Sequence, residues 1–122
     1  MCLASVKETR KPNDDMMVGY KIFLKNSWGL SGEFYDMYTP KHAGEVYEAS
    51  YGRLYASDGT YYDSGFHAFT TVKGAWTWIG GIVNHPNLVI YEVHIWDIRA
   101  IGTQHMSRCI VGKNMRIVKE VK

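Results

Sequence analysis

The chain has 122 residues, enough for one domain with a hydrophobic core, and we expect a single domain over residues 1–122. Hydrophobic residues make up 46% of the sequence and charged residues 21%, a balance that argues against long disorder. The formal net charge is +2 with scattered Lys and Arg, which argues against a surface for duplex nucleic acid and is compatible with a small anionic ligand.

Aromatic residues are more frequent than one small core is expected to absorb. Nine Tyr, four Trp and four Phe make up 14% of the chain. Tyrosine in particular favours half-exposed surfaces and interfaces, because its ring is apolar and its hydroxyl is polar. We therefore expect some of these rings to face a partner.

The sequence also bears on location. Cys2 and Cys109 form no CxxC motif, and two isolated thiols suit a reducing compartment. No apolar run reaches the roughly 18–20 residues that span a bilayer, because Glu92, His94 and Asp97 interrupt the longest one. The sequence thus predicts a cytoplasmic protein with no membrane segment.

In chain order, the first half is predicted to be strands and loops. Residues 1–6 favour a short strand and residues 7–15 a loop. Residues 16–24 alternate as a strand, and residues 30–38 are the predicted return strand of a hairpin. Residues 45–55 are predicted as one strand with a glycine bend, the alternative being a short helix.

The one helix of the sequence follows a short aromatic strand. The strand covers residues 65–69 and the helix ends near Asn84, with Thr70 or Thr71 as its N-cap. Apolar residues at helical spacing predict the face that packs on the sheet: Val72, Ala75, Trp76, Ile79 and Val83.

A second apolar side of the helix carries Trp78 and Ile82. Because Trp78 lies about 200° round the helix from Trp76, we expect this side to face another subunit, in a homodimer or higher homo-oligomer. The alternative is a helix buried on all sides within one domain. Gly74, Gly80 and Gly81 weaken a helix, so close approach of a backbone or a ligand is expected there.

The last part of the chain returns to strands. Residues 88–98 are predicted as the longest strand, residues 102–107 as a loop, and residues 108–111 and 115–121 as strands joined by a turn at residues 112–114. Strands, one helix and more strands predict an α+β fold, in which a mostly antiparallel sheet carries one main helix.

Signatures of catalysis and metal binding are weak. The sequence has no glycine-rich phosphate loop, GxSxG or HExxH motif, and a triad built around Cys109 carries little weight because any chain with five His permits one. His85, His94 and His105 do not have metal-ligand spacing. We therefore predict a protein that is not an enzyme, with no catalytic residues, no metal and no cofactor.

Two groups of residues are candidates for ligand binding. His67 is either a histidine bonded to backbone, the commoner case, or a ligand contact in an aromatic pocket wall with Phe66 and Phe69. Guanidinium groups suit phosphate, and Arg99, Arg108 and Arg116 can meet at a sheet end if residues 112–114 form a turn. The predicted ligand-binding set is Phe66, His67, Phe69, Trp78, Arg99, Arg108 and Arg116.

Four short stretches carry a resemblance to a known family. The MCLA start, the GYKIF and GFHAF strands and the closing VGKNMRIV strand resemble small phage proteins of the Thoeris anti-defence sponge family. The resemblance implies an α+β fold in dimers or larger assemblies. It also implies that a cyclic ADP-ribose variant made by the host is sequestered uncleaved, with cyclic oligonucleotides held at a separate site by some members.

Three functions follow in order of preference. The first is sequestration of a host immune signalling nucleotide, because aromatic residues are abundant and a catalytic set is lacking. The second is a small phage inhibitor that binds a host protein directly. The third is an enzyme that cleaves a small nucleotide. Cleavage of more than one equivalent of nucleotide per protein identifies this function.

Overall fold

The computed structural model describes residues 3–27, 29–32, 41–50, 52–81 and 87–121. Within these ranges the chain forms one helix and nine strands. In chain order they are β1 (Ser5–Thr9), β2 (Met16–Asn26), β3 (Gly29–Gly32), β4 (Val46–Glu48), β5 (Arg53–Tyr55), β6 (Tyr61–Asp63), β7 (Phe66–Phe69), α1 (Val72–Gly81), β8 (Leu88–Gln104) and β9 (Ser107–Val121).

Seven of these strands form one antiparallel sheet that closes on itself. β8 pairs with β2 on one side and with β9 on the other, and β7 links β2 to β9 through the pairs Tyr20↔Phe69 and Phe69↔Cys109. Strands β5 and β6 form a separate two-stranded sheet. The predicted fold class is therefore confirmed: the protein is α+β, mostly antiparallel sheet with one helix on it.

The closed sheet has a hydrophobic cluster on each of its faces. Ala68 and Ile110 belong to one cluster, whereas their neighbours Phe69 and Cys109 belong to the other. Successive side chains of a strand point to opposite faces, so this alternation is what two buried faces require. The helix covers the cluster that contains Phe69.

The long hairpin of β8 and β9 differs from the sequence-based prediction. Residues 102–107 were predicted to be a loop and residues 112–114 a turn, but β8 runs on to Gln104 and β9 is continuous through Gly112. The hairpin instead turns at His105 and Met106, which both have positive φ, as a two-residue loop of this kind requires.

Gly112 marks a close approach of strands rather than a turn. A Cβ atom at this position would lie 2.4 Å from Cγ2 of Ile95 and 2.9 Å from the carbonyl oxygen of Trp96. Gly65 lies against the same point, because its own Cβ would be 2.4 Å from the carbonyl oxygen of Gly112. Only glycine leaves room for the strands to come this close.

The helix begins as predicted but buries a different side. The backbone N–H of Gly74 donates to Oγ1 of Thr71 at 3.0 Å, which confirms Thr71 as the N-cap. Trp78 is only 5% exposed and belongs to the core, whereas Trp76 is 48% exposed. The predicted assignment of Trp76 to the core and of Trp78 to a second surface was therefore wrong.

The buried side of the helix also accounts for one helical glycine. Gly74 is buried, and a Cβ there would lie 3.1 Å from Cβ of Ser107 and 3.3 Å from Cδ1 of Phe69. The glycine thus brings the helix close to its own sheet. Ile82 and Val83, which the sequence placed on two sides of this helix, lie outside the described residues.

Two predicted strands are altered as well. Residues 45–55 divide into β4, which pairs with β9, and β5, which pairs with β6. The first strand was predicted at residues 1–6, whereas β1 covers Ser5–Thr9 and so lies later in the chain. The predicted return strand 30–38 begins as β3, and residues 33–38 lie outside the described part of the chain.

Candidate functional site

The candidate site is an open pocket of about 290 Å³ between the β5–β6 hairpin and the β8–β9 hairpin. We call it the cationic pocket, because three cationic side chains and one carboxylate line it. The lining residues are Gly52, Arg53, Asp63, Arg99 and Lys113. Its volume lies at the lower end of the roughly 300–1,000 Å³ range of small-molecule sites.

A β-bulge presents Arg99 to the pocket. Ile98 pairs with Gly112 and Ala100 pairs with Val111, so Arg99 is the extra residue of β8 without a position opposite it in β9. Asp97, two residues earlier, has φ of 56°, a conformation that few residues other than glycine adopt. Bulges bend a strand and redirect a side chain, and here the redirected side chain is Arg99.

The N-terminal loop holds the bulge in place. Oδ1 of Asn13 accepts hydrogen bonds from the backbone N–H groups of Ile98 and Asp15, and its Nδ2 donates to the carbonyl of Ile98 at 2.7 Å. The backbone N–H of Asp97 donates to the carbonyl of Asp15 at 3.1 Å. These bonds satisfy the backbone groups that a bulge removes from the strand ladder.

Two carboxylates fix the orientation of the Arg99 guanidinium. Its Nε and Nη2 donate to the two oxygens of Asp97 at 2.9 and 3.1 Å, and its Nη1 donates to Oδ2 of Asp63 at 2.6 Å. The hydrogen bond from Arg99 lowers the pKa of Asp97, and the same bond raises the pKa of Arg99. The guanidinium is therefore held rigidly at the wall of the pocket, only 9% exposed.

Lys113 supplies the second buried cation. The residue is 5% exposed, and its Nζ donates to the carbonyl of Ser50 at 3.1 Å. Burial lowers the pKa of Lys113, and the positive charge of Arg99 lowers it further, against the opposing effect of Asp63, Asp97 and Glu48. An anion that enters the pocket relieves the repulsion between the two cations.

The β5–β6 hairpin forms the outer wall. Arg53 is exposed and lies directly opposite Asp63 in the hairpin. The hairpin is fastened to the N-terminal segment, because the N–H groups of Ser57 and Asp58 donate to the carbonyls of Leu3 and Ala4. One wall of the pocket thus belongs to the main sheet and the other to the small sheet.

Of the seven predicted ligand-binding residues, Arg99 alone lines the pocket. Arg108 and Arg116 are both exposed and lie eight positions apart on β9, which corresponds to roughly 26 Å. The turn that was expected to bring them together is absent, because β9 is continuous there. The predicted meeting of the three arginines at one sheet end was therefore wrong.

The predicted aromatic wall belongs to the hydrophobic clusters. Phe69 is fully buried with its ring centroid 6.2 Å from that of Trp78, and the Trp78 ring meets His105 edge to face at 6.2 Å. Phe66 is partly buried against the opposite cluster. These rings fill the core on the two sides of the sheet and do not line the cationic pocket.

His67 takes part in a continuous series of hydrogen bonds that runs from Leu3 to Gly65, which we call the buried polar chain. Its Nδ1 lies 3.1 Å from the carbonyl of Gly65, so this nitrogen carries the proton. Its Nε2 therefore accepts from the Tyr62 hydroxyl at 2.9 Å, and that hydroxyl accepts from the backbone N–H of Leu3 at 2.9 Å. Burial lowers the pKa of His67 to about 3, so the ring is neutral.

Four lining residues of the pocket were not in the predicted binding set: Gly52, Arg53, Asp63 and Lys113. The sequence predicted Lys113 to lie in a turn, because glycine and asparagine flank it. The usable signal was an alternation in which Cys109, Val111, Met115 and Ile117 are apolar and Lys113 takes the position between them, because a charge on such a strand face needs a partner or a function.

The described residues contain no group of three His, Cys, Asp or Glu side chains arranged to hold a metal ion. No helix in the described ranges is long and apolar enough to cross a membrane. In comparisons with other proteins, no family model, no curated protein and no solved structure matches this chain.

Proposed function

We propose that this chain binds a small phosphorylated nucleotide in the cationic pocket and holds it without cleaving it. The observation that carries the proposal is the pair of buried cations, Arg99 and Lys113, at one pocket of about 290 Å³. Asp97 and Asp63 accept three of the five N–H groups of the Arg99 guanidinium and fix its orientation, and the remaining N–H groups on Nη1 and Nη2 suit phosphate oxygens. Preset donors lose little entropy when a ligand binds.

The absence of cleavage is supported by the state of the one described cysteine. Burial raises the pKa of the Cys109 thiol to about 12, so it stays protonated at neutral pH. The thiolate is the nucleophilic form of cysteine, and a protonated thiol in the core is inert. Asp63 and Asp97 are both engaged by Arg99.

Together with the family resemblance in the sequence, the pocket supports a role as a phage anti-defence sponge. In this role the nucleotide is a host immune signal, a cyclic ADP-ribose variant or a cyclic oligonucleotide, and the protein works in the host cytoplasm as a homo-oligomer. Both kinds of ligand carry phosphate groups, which the two buried cations attract. A binder without turnover neutralises only as many molecules as it has sites, so it must bind tightly.

The test is capture and release of intact ligand. The purified protein is mixed with a cyclic ADP-ribose isomer, separated from free ligand by gel filtration and denatured by heat. We expect the ligand to be recovered intact and in proportion to the protein. Lys113→Met should abolish capture, whereas Lys119→Met, an exposed lysine on the same strand, should leave it unchanged. Cleaved product, or no capture by the wild type, contradicts the proposal.

Direct binding to a host protein is the second candidate, and Trp76 favours it. This tryptophan is half exposed on the helix, and tryptophan is enriched among residues that dominate binding at protein interfaces. The two functions separate by mutation. If Trp76→Ala removes the anti-defence effect in cells and Lys113→Met retains it, the host-protein function is correct and sequestration in the pocket is wrong.

A further inference from the structure

We infer that Tyr55 and Tyr61 form an aromatic subsite next to the cationic pocket, so that the ligand carries a nucleobase as well as phosphate. This inference rests on the proposed function and deepens it. It names the chemical class of the ligand as a nucleotide with a free base face, in contrast to inorganic phosphate, pyrophosphate or a sugar phosphate.

The two tyrosines lie on the same face of the β5–β6 hairpin as the pocket residues. The hairpin pairs Arg53 with Asp63 and Tyr55 with Tyr61. Because side chains alternate along a strand, these four residues share one face, and Leu54 and Tyr62 point to the other. Two residues along a strand span roughly 6.8 Å, so each tyrosine is the next side chain on this face after a residue that lines the pocket.

The tyrosine rings form an exposed pair. Their centroids are 4.2 Å apart with the planes tilted by 45°, and the hydroxyl of Tyr55 donates to that of Tyr61 at 2.5 Å. Tyr55 is 59% exposed and Tyr61 54%. Large apolar ring surface is thus presented to solvent one pair along the hairpin from the pocket residues Arg53 and Asp63.

The size of the pocket gives a second reason. Its volume of about 290 Å³ lies at the lower limit for sites that enclose a whole small molecule. A phosphate group held by Arg99 and Lys113 leaves the rest of a nucleotide outside the pocket, and we place it along the hairpin face that carries Arg53. The surface it meets there is the tyrosine pair, and aromatic rings are the surface on which bases stack.

A cross-strand pair of tyrosines also stabilises a hairpin by itself, and the experiment separates this effect from ligand binding. The affinities of ADP and of inorganic pyrophosphate are measured by calorimetry. We expect the wild type to bind ADP roughly tenfold to a hundredfold more tightly, which is the gain expected from stacking of one base. The double variant Tyr55→Ser, Tyr61→Ser should lose this preference and keep its affinity for pyrophosphate.

The controls distinguish the inference from the proposed function. Lys113→Met should weaken ADP and pyrophosphate together, whereas the single variant Tyr55→Phe should keep the preference for ADP because the ring remains. If the wild type binds both probes equally and the tyrosine variants change neither, the subsite is wrong and the pocket stands. If the wild type binds neither probe, the proposed function fails, and the inference fails with it.

The pyrophosphate measurement also distinguishes a variant that has lost its fold from one that has lost only base stacking. A tyrosine variant that binds pyrophosphate as the wild type does has an intact pocket, so a lower affinity for ADP then reports the rings. If the double variant Tyr55→Ser, Tyr61→Ser retains the full preference for ADP, the subsite is wrong.

Discussion

The buried polar chain and the cationic pocket begin at adjacent residues of β6, yet they treat polar groups in opposite ways. Tyr62 points inward and is bonded to His67 and to the N–H of Leu3. Asp63 points outward and accepts from Arg99 at the pocket wall. One strand therefore supplies both a structural polar contact and a wall of the candidate binding site.

The difference between the two regions lies in how charge is handled. In the buried polar chain every donor meets an acceptor of the protein, and His67 is neutral. In the cationic pocket the positive charges of buried Arg99 and Lys113 repel each other, which makes their burial less favourable. Cations also outnumber carboxylates among the lining residues. A satisfied neutral network serves the fold, whereas two buried cations that repel each other beside a cavity favour an anionic ligand.

The largest expected effect lies in the hydrophobic cluster to which both Trp78 and Tyr62 of the buried polar chain belong. Trp78→Ala should lower the free energy of unfolding by about 3–5 kcal/mol, because it removes a buried ring and leaves a cavity. Trp76→Ala, two positions away on the exposed side, should change it by less than about 0.5 kcal/mol. Urea denaturation of both variants measures the difference. Equal effects would contradict the orientation of the helix.

The next effect lies where the two regions meet, at Gly112. Gly112→Ala should cost roughly 1–3 kcal/mol, because the added methyl group has to displace Ile95 and the backbone of Trp96. Gly52→Ala is the matched control, since a Cβ there meets only Ser64, with its nearest atom at 3.4 Å. Thermal denaturation measures the stability of both variants. If Gly112→Ala and Gly52→Ala both keep the midpoint temperature of the wild type, the strands do not approach closely at Gly112.

Gly112 also shows where sequence reasoning succeeds and where it ends. Alternation in residues 16–24 and 88–98 predicted the strands correctly, and Thr71 was identified as a possible cap, because these signals are local. Glycine beside Lys113 and Asn114 is an equally valid signal for a turn and for a close approach of strands. Which one applies depends on β7 and β8, which lie far away in the sequence.

The same limit explains the helix and the site. Close approach was predicted at Gly74, but the sequence did not show that its neighbour is the protein's own sheet, on the side of the helix buried with Trp78. Arg99 was predicted as a phosphate ligand on general chemistry, but its position depends on a bulge held by Asn13. The pocket joins β5–β6 to β8–β9, and pairing between distant segments is not encoded in any local pattern.

A smaller and pH-dependent effect comes from His67. Burial and the nearby charge of Lys21 lower its pKa from 6.5 to about 3, so between these values the unfolded chain binds a proton that the folded chain does not. Stability from this group is complete above about pH 6.5 and falls as the pH falls, by at most about 1.4 kcal/mol per pH unit. Denaturation at pH 7 and pH 5 measures the loss.

The matched comparison for this effect is a histidine outside the core. His67→Gln should show a shallower loss of stability between pH 7 and pH 5 than the wild type. His42→Gln, at an exposed position, should retain the pH dependence of the wild type. If His67→Gln and the wild type lose the same free energy, the histidine is not buried as a neutral ring.

The smallest effect on stability is expected in the cationic pocket, where the effect on binding is largest. Lys113→Met removes a buried charge whose burial is itself unfavourable, so the free energy of unfolding should change by less than about 1 kcal/mol in either direction. The same variant should lose capture of nucleotide. Residues selected for binding often contribute little to stability, which is the contrast with Trp78. If Lys113→Met unfolds the protein as Trp78→Ala does, Lys113 is a structural residue and the contrast between the two regions is wrong.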